Sequence, residues 1–126
     1  MDDKVLVQAT NIKKWFPVKK WFFEKQNYVK AVDDISLTLY RGETLGIVGE
    51  SGCGKSTMAR TLLRLIDPTE GHIIYDGKDL CAMKNKELRT LRKHMQIVFQ
   101  DTYSSLHPRM NIGELIAAPM LIAGMK

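Results

Sequence analysis

The sequence predicts an α/β fold, because strand patterns and helix patterns alternate along the chain. Residues 44–48 form a short apolar run typical of a buried strand, and residues 57–66 have the spacing of an amphipathic helix. A glycine-rich loop separates them. Residues 31–39 alternate apolar and polar side chains, as half-buried strands do, and helical spacing returns from about residue 86.

The N-terminal segment is predicted to contain two strands. Residues 5–9 alternate enough to indicate an edge strand, and Pro17 ends the regular pattern that follows them. Residues 19–30 are interpreted as an inserted loop. The next strand, 31–39, places every second side chain on one face, namely Ile35, Leu37 and Leu39.

The remaining elements have recognisable boundaries. Their predicted order is strand 44–48, helix 57–66, strand 71–75, a helix from about residue 86, buried strand 96–99 and a helix through residues 115–116. Pro68 ends helix 57–66, and Asp76-Gly77 is a hairpin turn. Asn111 with Glu114 indicates a capping box before the last helix, which Pro119 interrupts or kinks.

Length and composition place the chain among ordinary globular proteins. It has 126 residues, of which 44% are hydrophobic and 26% charged, so we expect one domain over residues 1–126. No apolar stretch approaches the roughly 20 residues needed to cross a bilayer. Asp2 and Asp3 precede the first strand, unlike the basic start of a signal peptide. We therefore expect a cytoplasmic protein.

The formal net charge is +5, and much of it lies between residues 13 and 30. Lysines and aromatic residues are interleaved there, which superficially resembles a nucleic-acid surface. Because no recognition motif accompanies them, we interpret the lysines as solvating a loop whose aromatic rings pack on the sheet or stack on a base. No nucleic-acid partner is expected.

The glycine-rich loop matches the phosphate-binding pattern Gly-x-x-x-x-Gly-Lys-Ser. This phosphate loop comprises Gly49, Glu50, Ser51, Gly52, Cys53, Gly54, Lys55, Ser56 and Thr57. Between a strand and a helix, its N–H groups form an anion nest, and glycines 49, 52 and 54 are expected to supply positive φ. Lys55 reaches the β- and γ-phosphates, and the Ser56 hydroxyl binds Mg²⁺. The sequence thus predicts a nucleoside triphosphate ligand rather than an unoccupied turn.

Cysteine and histidine residues indicate neither disulfides nor a metal centre. Cys53 lies inside the phosphate loop, where we expect a tolerated variable position that a thiol reagent can block. The sequence around Cys81 indicates no function for this residue. A metal site needs three or four clustered donors, and His94 and His107 have no such partners in the sequence; His72 is interpreted as structural.

Several separated segments resemble the ATP-binding subunits of ABC transporters. They are Ala-Val-Asp-Asp-Ile-Ser at 31–36, the stretch 42–57 that contains the phosphate loop, and Pro-Thr-Glu-Gly at 68–71. Met-Gln-Ile-Val-Phe-Gln-Asp at 95–101 and the stretch 103–110 narrow the resemblance to the dipeptide/oligopeptide importers, the branch that includes nickel and glutathione systems. This branch usually has proline where Thr102 stands and asparagine where His107 stands, so the resemblance implies nucleotide binding more strongly than it implies coupling to the permease.

The resemblance implies a fold and a set of site residues. The fold is the P-loop NTPase fold of an ABC-type nucleotide-binding domain, here an antiparallel β subdomain plus an incomplete parallel core sheet with flanking helices. Gln100 is implied to be the Q-loop glutamine, which ligates Mg²⁺ or orients water, so Lys55 and Gln100 are the catalytic candidates. An aromatic ring stacks on adenine in this family: we favour Tyr28, with Phe22 and Phe23 as alternatives, although Tyr28 as plain loop packing is equally compatible.

The resemblance also implies partners: transmembrane permease subunits, a second ATP-binding subunit, and a location on the inner face of the cell membrane. Hydrolysis needs a strand-borne Asp and a water-positioning carboxylate. After Gln100 the acids are Asp101 and Glu114, and neither follows an apolar strand run. The family's signature motif, Walker B strand and switch histidine are missing. We therefore expect an N-terminal fragment that binds ATP weakly and does not hydrolyse it.

Two other functions compete with this interpretation. The first is a non-hydrolysing module that uses the phosphate loop to sense nucleotides and is complete at this length. The second, a P-loop kinase or DNA-repair ATPase, shares the loop but leaves the segment 98–101 without an explanation.

Overall fold

The strands of the protein form one antiparallel sheet in the order β2-β1-β3-β4. The computed structural model describes residues 4–19, 26–101 and 106–125. The strands are β1 Val5–Pro17, β2 Tyr28–Tyr40, β3 Glu70–Tyr75 and β4 Lys78–Asp79. The helices are α1 Lys55–Leu62, α2 Asn85–Leu91 and α3 Ile112–Ile122, and a 3₁₀ turn lies at Arg92–His94.

β1 lies inside the sheet, so the predicted edge strand at 5–9 is wrong in both length and position. β1 continues to Pro17 and pairs with β2 on one side and with β3 on the other. An alternating pattern reports which face of a strand is buried, but it does not report how many neighbours the strand has. Pro17 is the last residue of β1, where a missing N–H donor is tolerated.

The predicted strands 31–39 and 71–75 are confirmed as parts of β2 and β3. β2 begins at Tyr28, within the predicted loop 19–30, and Ile35 of the predicted buried face is 41% exposed. The turn after β3 is also confirmed, because Asp76 and Gly77 have φ of 48° and 73° and join β3 directly to β4. Positive φ at both central residues is the requirement of a type I′ hairpin turn. Asp76 forms an ion pair with Arg41, which follows β2.

β-Bulges interrupt the pairing of β1 with its neighbours. Asn11 and Asp34 both have positive φ, 48° and 57°, and the Asn11 Nδ2 group donates a hydrogen bond of 2.7 Å to Asp34 Oδ1. Gly71 in β3 has φ of 97°, and a Cβ there would lie 2.5 Å from the Asn11 carbonyl oxygen. Three neighbouring strands thus depart from regular geometry at one level of the sheet.

Helix α1 packs on β1 and β2. Its buried residues are Met58 and Thr61, and the sheet and the turn after it contribute further buried apolar residues: Ala9, Ile12, Val32, Ile73 and Leu80. The helix ends at Leu62, before the predicted Ile66, because Arg64 adopts φ of 53°. The Leu65 and Arg64 N–H groups then donate to the Arg60 and Thr61 carbonyls, which is a Schellman ending.

The predicted buried strands 44–48 and 96–99 are not formed. Neither segment pairs with any described part of the chain, and the side chains of Val48 and Val98 are 93% and 87% exposed. A strand is stable only where a neighbour satisfies its N–H and C=O groups, and buried parallel strands need a neighbour on both sides. The antiparallel part of the predicted architecture is therefore present, while its parallel strands are unpaired.

The chain divides into two compact units, Met1–Leu88 and Arg89–Lys126. In the second unit α3 confirms the predicted helix and its capping box: Asn111 Oδ1 accepts from the Glu114 N–H, and Glu114 Oε2 accepts from the Asn111 N–H. Pro119 lies within this helix without ending it. Across the described residues, every helix is too short or too polar to traverse a bilayer.

Candidate nucleotide-binding site

The phosphate loop, residues 49–57, leads directly into helix α1. Gly54 is the N-cap residue, and its carbonyl accepts the first helical hydrogen bond, 2.8 Å from the Met58 nitrogen. A turn closes the preceding residues, since the Cys53 N–H donates to the Glu50 carbonyl at 3.4 Å. The first N–H groups of a helix have no intrahelical partner, and glycine has no side chain to cap them. They are suited to an anion.

The glycines of the loop have two different physical roles. Gly52 and Gly54 have φ of 81° and 100°, as predicted. The prediction of positive φ is wrong for Gly49, which is not among the residues with positive φ. At Gly49 a Cβ would lie 2.7 Å from the Cys53 Sγ atom, so the Cys53 side chain would have to rotate to make room for it. Positive φ is needed only where the loop reverses, whereas at Gly49 the absent side chain leaves space for Cys53.

Gly54 also meets the backbone of strand β2. A Cβ on Gly54 would lie 2.0 Å from the carbonyl oxygen of Ala31 and 3.2 Å from its carbonyl carbon. Backbone atoms cannot move aside as the end of a flexible side chain can. The helix N-terminus is thus held against the sheet by an approach that only glycine permits.

The Lys55 ammonium lies inside the loop. Its Nζ atom donates to the Gly49 carbonyl at 2.7 Å and to the Glu50 carbonyl, and it lies 3.5 Å from Cys53 Sγ. Carbonyl oxygens are weaker partners for an ammonium than charged phosphate oxygens, which form charge-assisted bonds. The cation is therefore in position to exchange these carbonyls for an anion that enters the loop.

Ser56 and Thr57 occupy the first turn of α1. Ser56 is exposed, and Thr57 is partly buried with its carbonyl accepting from the Thr61 hydroxyl at 2.8 Å. A single exposed hydroxyl fits Mg²⁺, because this ion usually keeps several waters and takes its other ligands from phosphates. The described residues contain no group of three or more His, Cys, Asp or Glu side chains that could hold a metal ion.

Gln100 is exposed and belongs to the unit Arg89–Lys126, whereas the loop belongs to Met1–Leu88. Its predicted roles in catalysis and at Mg²⁺ stay predictions. Thr102, one of the two departures from the family pattern, lies outside the described residues, and His107 Nδ1 lies 3.3 Å from the Arg109 nitrogen as a hydrogen-bond acceptor.

Tyr28 begins β2 at the end of the hairpin formed with β1. Its side chain is 51% exposed, and its ring centroid lies 6.3 Å from that of Trp15 at an interplanar angle of 50°. An aromatic ring that is half exposed can offer a surface for stacking. Phe22 and Phe23, the alternatives, lie outside the described residues.

Side chains around Trp15 form an ordered cluster that the sequence did not predict. The indole Nε1–H donates to Asp33 Oδ1 at 2.9 Å, and the ammonium groups of Lys30 and Lys13 lie 4.6 Å and 5.4 Å from the indole centroid. Lys13 also pairs with Glu70 at 2.7 Å. The interleaving of lysine and aromatic residues was the available signal, but the bond from Trp15 to Asp33 and the ion pair of Lys13 with Glu70 join positions distant in sequence.

The pKa of Asp33 lies below its ordinary value of 3.8. Partial desolvation raises this pKa, and the hydrogen bonds from Trp15 and Lys30 outweigh that effect and lower it. A carboxylate with a depressed pKa stabilises the fold above its unfolded-state pKa. That stabilisation is present above the unfolded-state pKa, about 4. It is lost as the pH falls through the lower pKa that Asp33 has in the folded state.

We expect Cys53 to react with N-ethylmaleimide faster than Cys81, and Mg-ATP to slow the reaction at Cys53. Cys53 is exposed, whereas burial raises the pKa of the partly buried Cys81 thiol. The thiolate is the reactive form, so a raised pKa slows alkylation. Mass spectrometry of the two peptides measures each rate, and a Cys81→Ser variant isolates Cys53. Equal rates at Cys53 with and without Mg-ATP would contradict a ligand in this loop.

The site can be compared with known proteins. The family model described as "ABC transporter" matches residues 32–123. The oligopeptide transport ATP-binding protein OppF of Escherichia coli K12 is 49% identical over 120 residues, which cover 93% of this chain and 36% of that protein. AppF of Bacillus subtilis 168, also an oligopeptide transport ATP-binding protein, is 45% identical over 94% of this chain and 36% of its own length.

Solved structures agree with these relatives. The ATP-binding cassette MJ0796, in a post-hydrolysis state bound to ADP and phosphate, superposes with a TM-score of 0.71 at 28% identity and covers 92% of this chain and 47% of that chain. This confirms the predicted fold class. The chain spans about a third of the length of its curated relatives. The match over residues 32–123, together with the geometry of the phosphate loop, shows that this chain belongs to the ABC transporter family of ATP-binding proteins.

Proposed function

We propose that this protein binds Mg-ATP at the phosphate loop, as the ATP-binding subunit of an importer for dipeptides, oligopeptides or a related solute. The observation that carries the proposal is the loop itself: the Lys55 ammonium lies within it, and an N-terminus without a side-chain cap follows it. The relatives named above are ATP-binding proteins of oligopeptide transport, which supports the class of solute.

Each proposed site residue has a distinct task. Lys55 and the N–H groups at the start of α1 bind the β- and γ-phosphates, and the Ser56 hydroxyl holds Mg²⁺. Tyr28 stacks on the adenine ring. Gln100 acts at Mg²⁺ or at the attacking water. Magnesium, when bound, neutralises charge that develops on the phosphates.

The proposed partners follow from the same assignment. Transmembrane permease subunits and a second ATP-binding subunit would complete the importer, and they would place this protein at the inner face of the cell membrane. Dimeric ATP-binding cassettes are among the solved structures to which this chain is similar. We propose that selectivity for the solute resides in the permease and its binding protein.

We further propose that the chain of 126 residues binds nucleotide weakly and does not turn it over. Segment 44–48, which leads into the phosphate loop, is unpaired among the described residues, so the loop has no paired strand before it. The carboxylates expected for hydrolysis are not recognisable in the sequence. Weak binding without turnover is the combined expectation.

The test is a titration of the purified chain with Mg-ATP by isothermal calorimetry, beside a phosphate-release assay. We expect saturable binding and no phosphate release above that of the buffer. The comparison is a longer chain, extended beyond residue 126 to the length of a relative. We expect this longer chain to bind Mg-ATP more tightly. Sustained turnover by the 126-residue chain would contradict the proposal. Tight binding by a folded monomer would favour the nucleotide-sensing alternative.

A further inference from the structure

Ala31 is the extra residue of a β-bulge where β2 passes the phosphate loop. The consecutive β1 residues Lys14 and Trp15 pair with Val32 and Lys30, so Ala31 is skipped in the register. Its carbonyl oxygen is the atom that approaches the N-cap glycine of α1. Bulges redirect the backbone and occur beside functional sites. Here the bulge brings the backbone of the sheet against the start of the helix.

Three side chains close around this bulge. Trp15 donates from Nε1 to Asp33 Oδ1 at 2.9 Å, and the Lys30 ammonium donates to Asp33 Oδ2 at 3.3 Å. The same ammonium lies 4.6 Å from the centroid of the Trp15 ring. Lys30 and Asp33 precede and follow Ala31 along β2. We call Trp15, Lys30 and Asp33 the Trp15 clamp, because their mutual contacts span the bulge.

Trp15 is the member of the Trp15 clamp that ties the two strands together. The Lys30–Asp33 pair is an exposed ion pair within one strand, with side chains 53% and 44% exposed, and such pairs contribute little. The indole N–H reaches from β1 to the same carboxylate on β2, so its bond joins the two strands, whereas the ion pair joins two residues of one strand. The bulge therefore depends on Trp15 more than on the ion pair.

We infer that Trp15 is a positioning residue for the phosphate loop: its bond to Asp33 keeps the bulge in place, so that the Ala31 backbone supports Gly54. The inference rests on the proposed function. Trp15 acts on the ligand through Ala31 and Gly54. It therefore affects the binding of the phosphates rather than that of the base. Its contact with the Tyr28 ring is a second route, which would act on the adenine ring instead.

The experiment compares two ligands in three variants of the full 126-residue chain. The ligands are Mg-ATP and inorganic tripolyphosphate with Mg²⁺, which has no base. Trp15→Phe keeps a ring but removes the N–H donor, and Asp33→Ala removes the acceptor. Asp33→Asn keeps an amide oxygen that accepts the indole N–H. We expect the first two variants to bind both ligands about three- to tenfold more weakly, and Asp33→Asn to restore most of the affinity.

Two control variants separate this effect from others. Lys14→Ala removes a cation–aromatic contact of the same hairpin, since the Lys14 ammonium lies 5.0 Å from the centroid of the Phe16 ring. It should leave both affinities within about twofold, the scatter expected of an exposed contact. Tyr28→Ala should weaken Mg-ATP but not tripolyphosphate. All affinities are measured by calorimetry at a temperature where far-UV circular dichroism shows each variant folded.

The outcomes are distinct. Loss of affinity for both ligands in Trp15→Phe and Asp33→Ala, with recovery in Asp33→Asn, supports the inference. If Trp15→Phe does not fold, the two Asp33 variants decide it. Loss for Mg-ATP alone would show that Trp15 acts through Tyr28 and would overturn the inference. Equal loss in Lys14→Ala would show general destabilisation and would also overturn it. If the unchanged chain binds neither ligand, the proposed function fails, and the inference fails with it.

Discussion

Replacing Lys55 with alanine is expected to abolish measurable binding of Mg-ATP. The Lys55 ammonium lies within the phosphate loop, bonded to the Gly49 and Glu50 carbonyls, so it is already at the place where a triphosphate would enter. Charge-assisted hydrogen bonds contribute about 1.5–3 kcal/mol each, and the loss of about 3 kcal/mol lowers affinity roughly 100-fold. For a chain that binds weakly, this places the dissociation constant beyond the range of calorimetry.

The control for Lys55→Ala is Lys14→Ala, which removes a surface lysine from β1 and preserves the loop. Both variants lower the net charge by one, so a difference between them reports position rather than charge. The unfolding midpoint of Lys55→Ala in the absence of ligand should be close to that of the unchanged chain, because the ammonium bonds only within an exposed loop, to the Gly49 and Glu50 carbonyls and to Cys53 Sγ. If Lys55→Ala binds Mg-ATP with unaltered affinity, the nucleotide does not bind in this loop.

Replacing Gly54 with alanine is expected to cause the largest loss of stability of any single methyl added to the phosphate loop. The new Cβ would lie 2.0 Å from the Ala31 carbonyl oxygen, and the residue has φ of 100°. A left-handed backbone costs roughly 1–2 kcal/mol for a residue with a Cβ, and overpacking against fixed atoms adds about 1–3 kcal/mol. Helix α1 would have to move away from β2, and nucleotide binding should be lost with it.

Gly52→Ala is the matched control for Gly54→Ala. Gly52 lies in the same loop with φ of 81°, but a Cβ there would have nothing within 4 Å. The variant should therefore lose only the conformational part, about 1–2 kcal/mol. Urea unfolding followed by far-UV circular dichroism measures both variants. If the two variants are equally stable, the approach of Ala31 to Gly54 contributes nothing, and positive φ alone explains the glycine.

Local patterns predicted the antiparallel part of this protein well. The Asp76-Gly77 turn, strand β3 and the capping box of α3 depend on residues close together in sequence, so short segments specify them. Helix α1 ended early because of the left-handed conformation of Arg64. Nothing in the spacing of apolar residues predicts that conformation, since arginine is otherwise a good helix former.

The unpaired segments 44–48 and 96–99 show a different limit. Their apolar character indicates a buried strand, but a strand also requires neighbours, and an apolar run does not contain information about them. Val48 and Val98 are accordingly among the most exposed apolar residues described. Exposed unpaired apolar segments favour association between chains.

The order of amino acids was sufficient to locate the phosphate loop, the lysine within it and the family to which the chain belongs, because the spacing Gly-x-x-x-x-Gly-Lys-Ser carries the anion-binding chemistry within eight consecutive residues. Only the folded molecule showed why Gly54 must be glycine, since the obstructing atom belongs to Ala31 on another strand. It alone also joined Trp15 to Asp33. Contacts between strands depend on register and bulges, and these are settled when the sheet assembles.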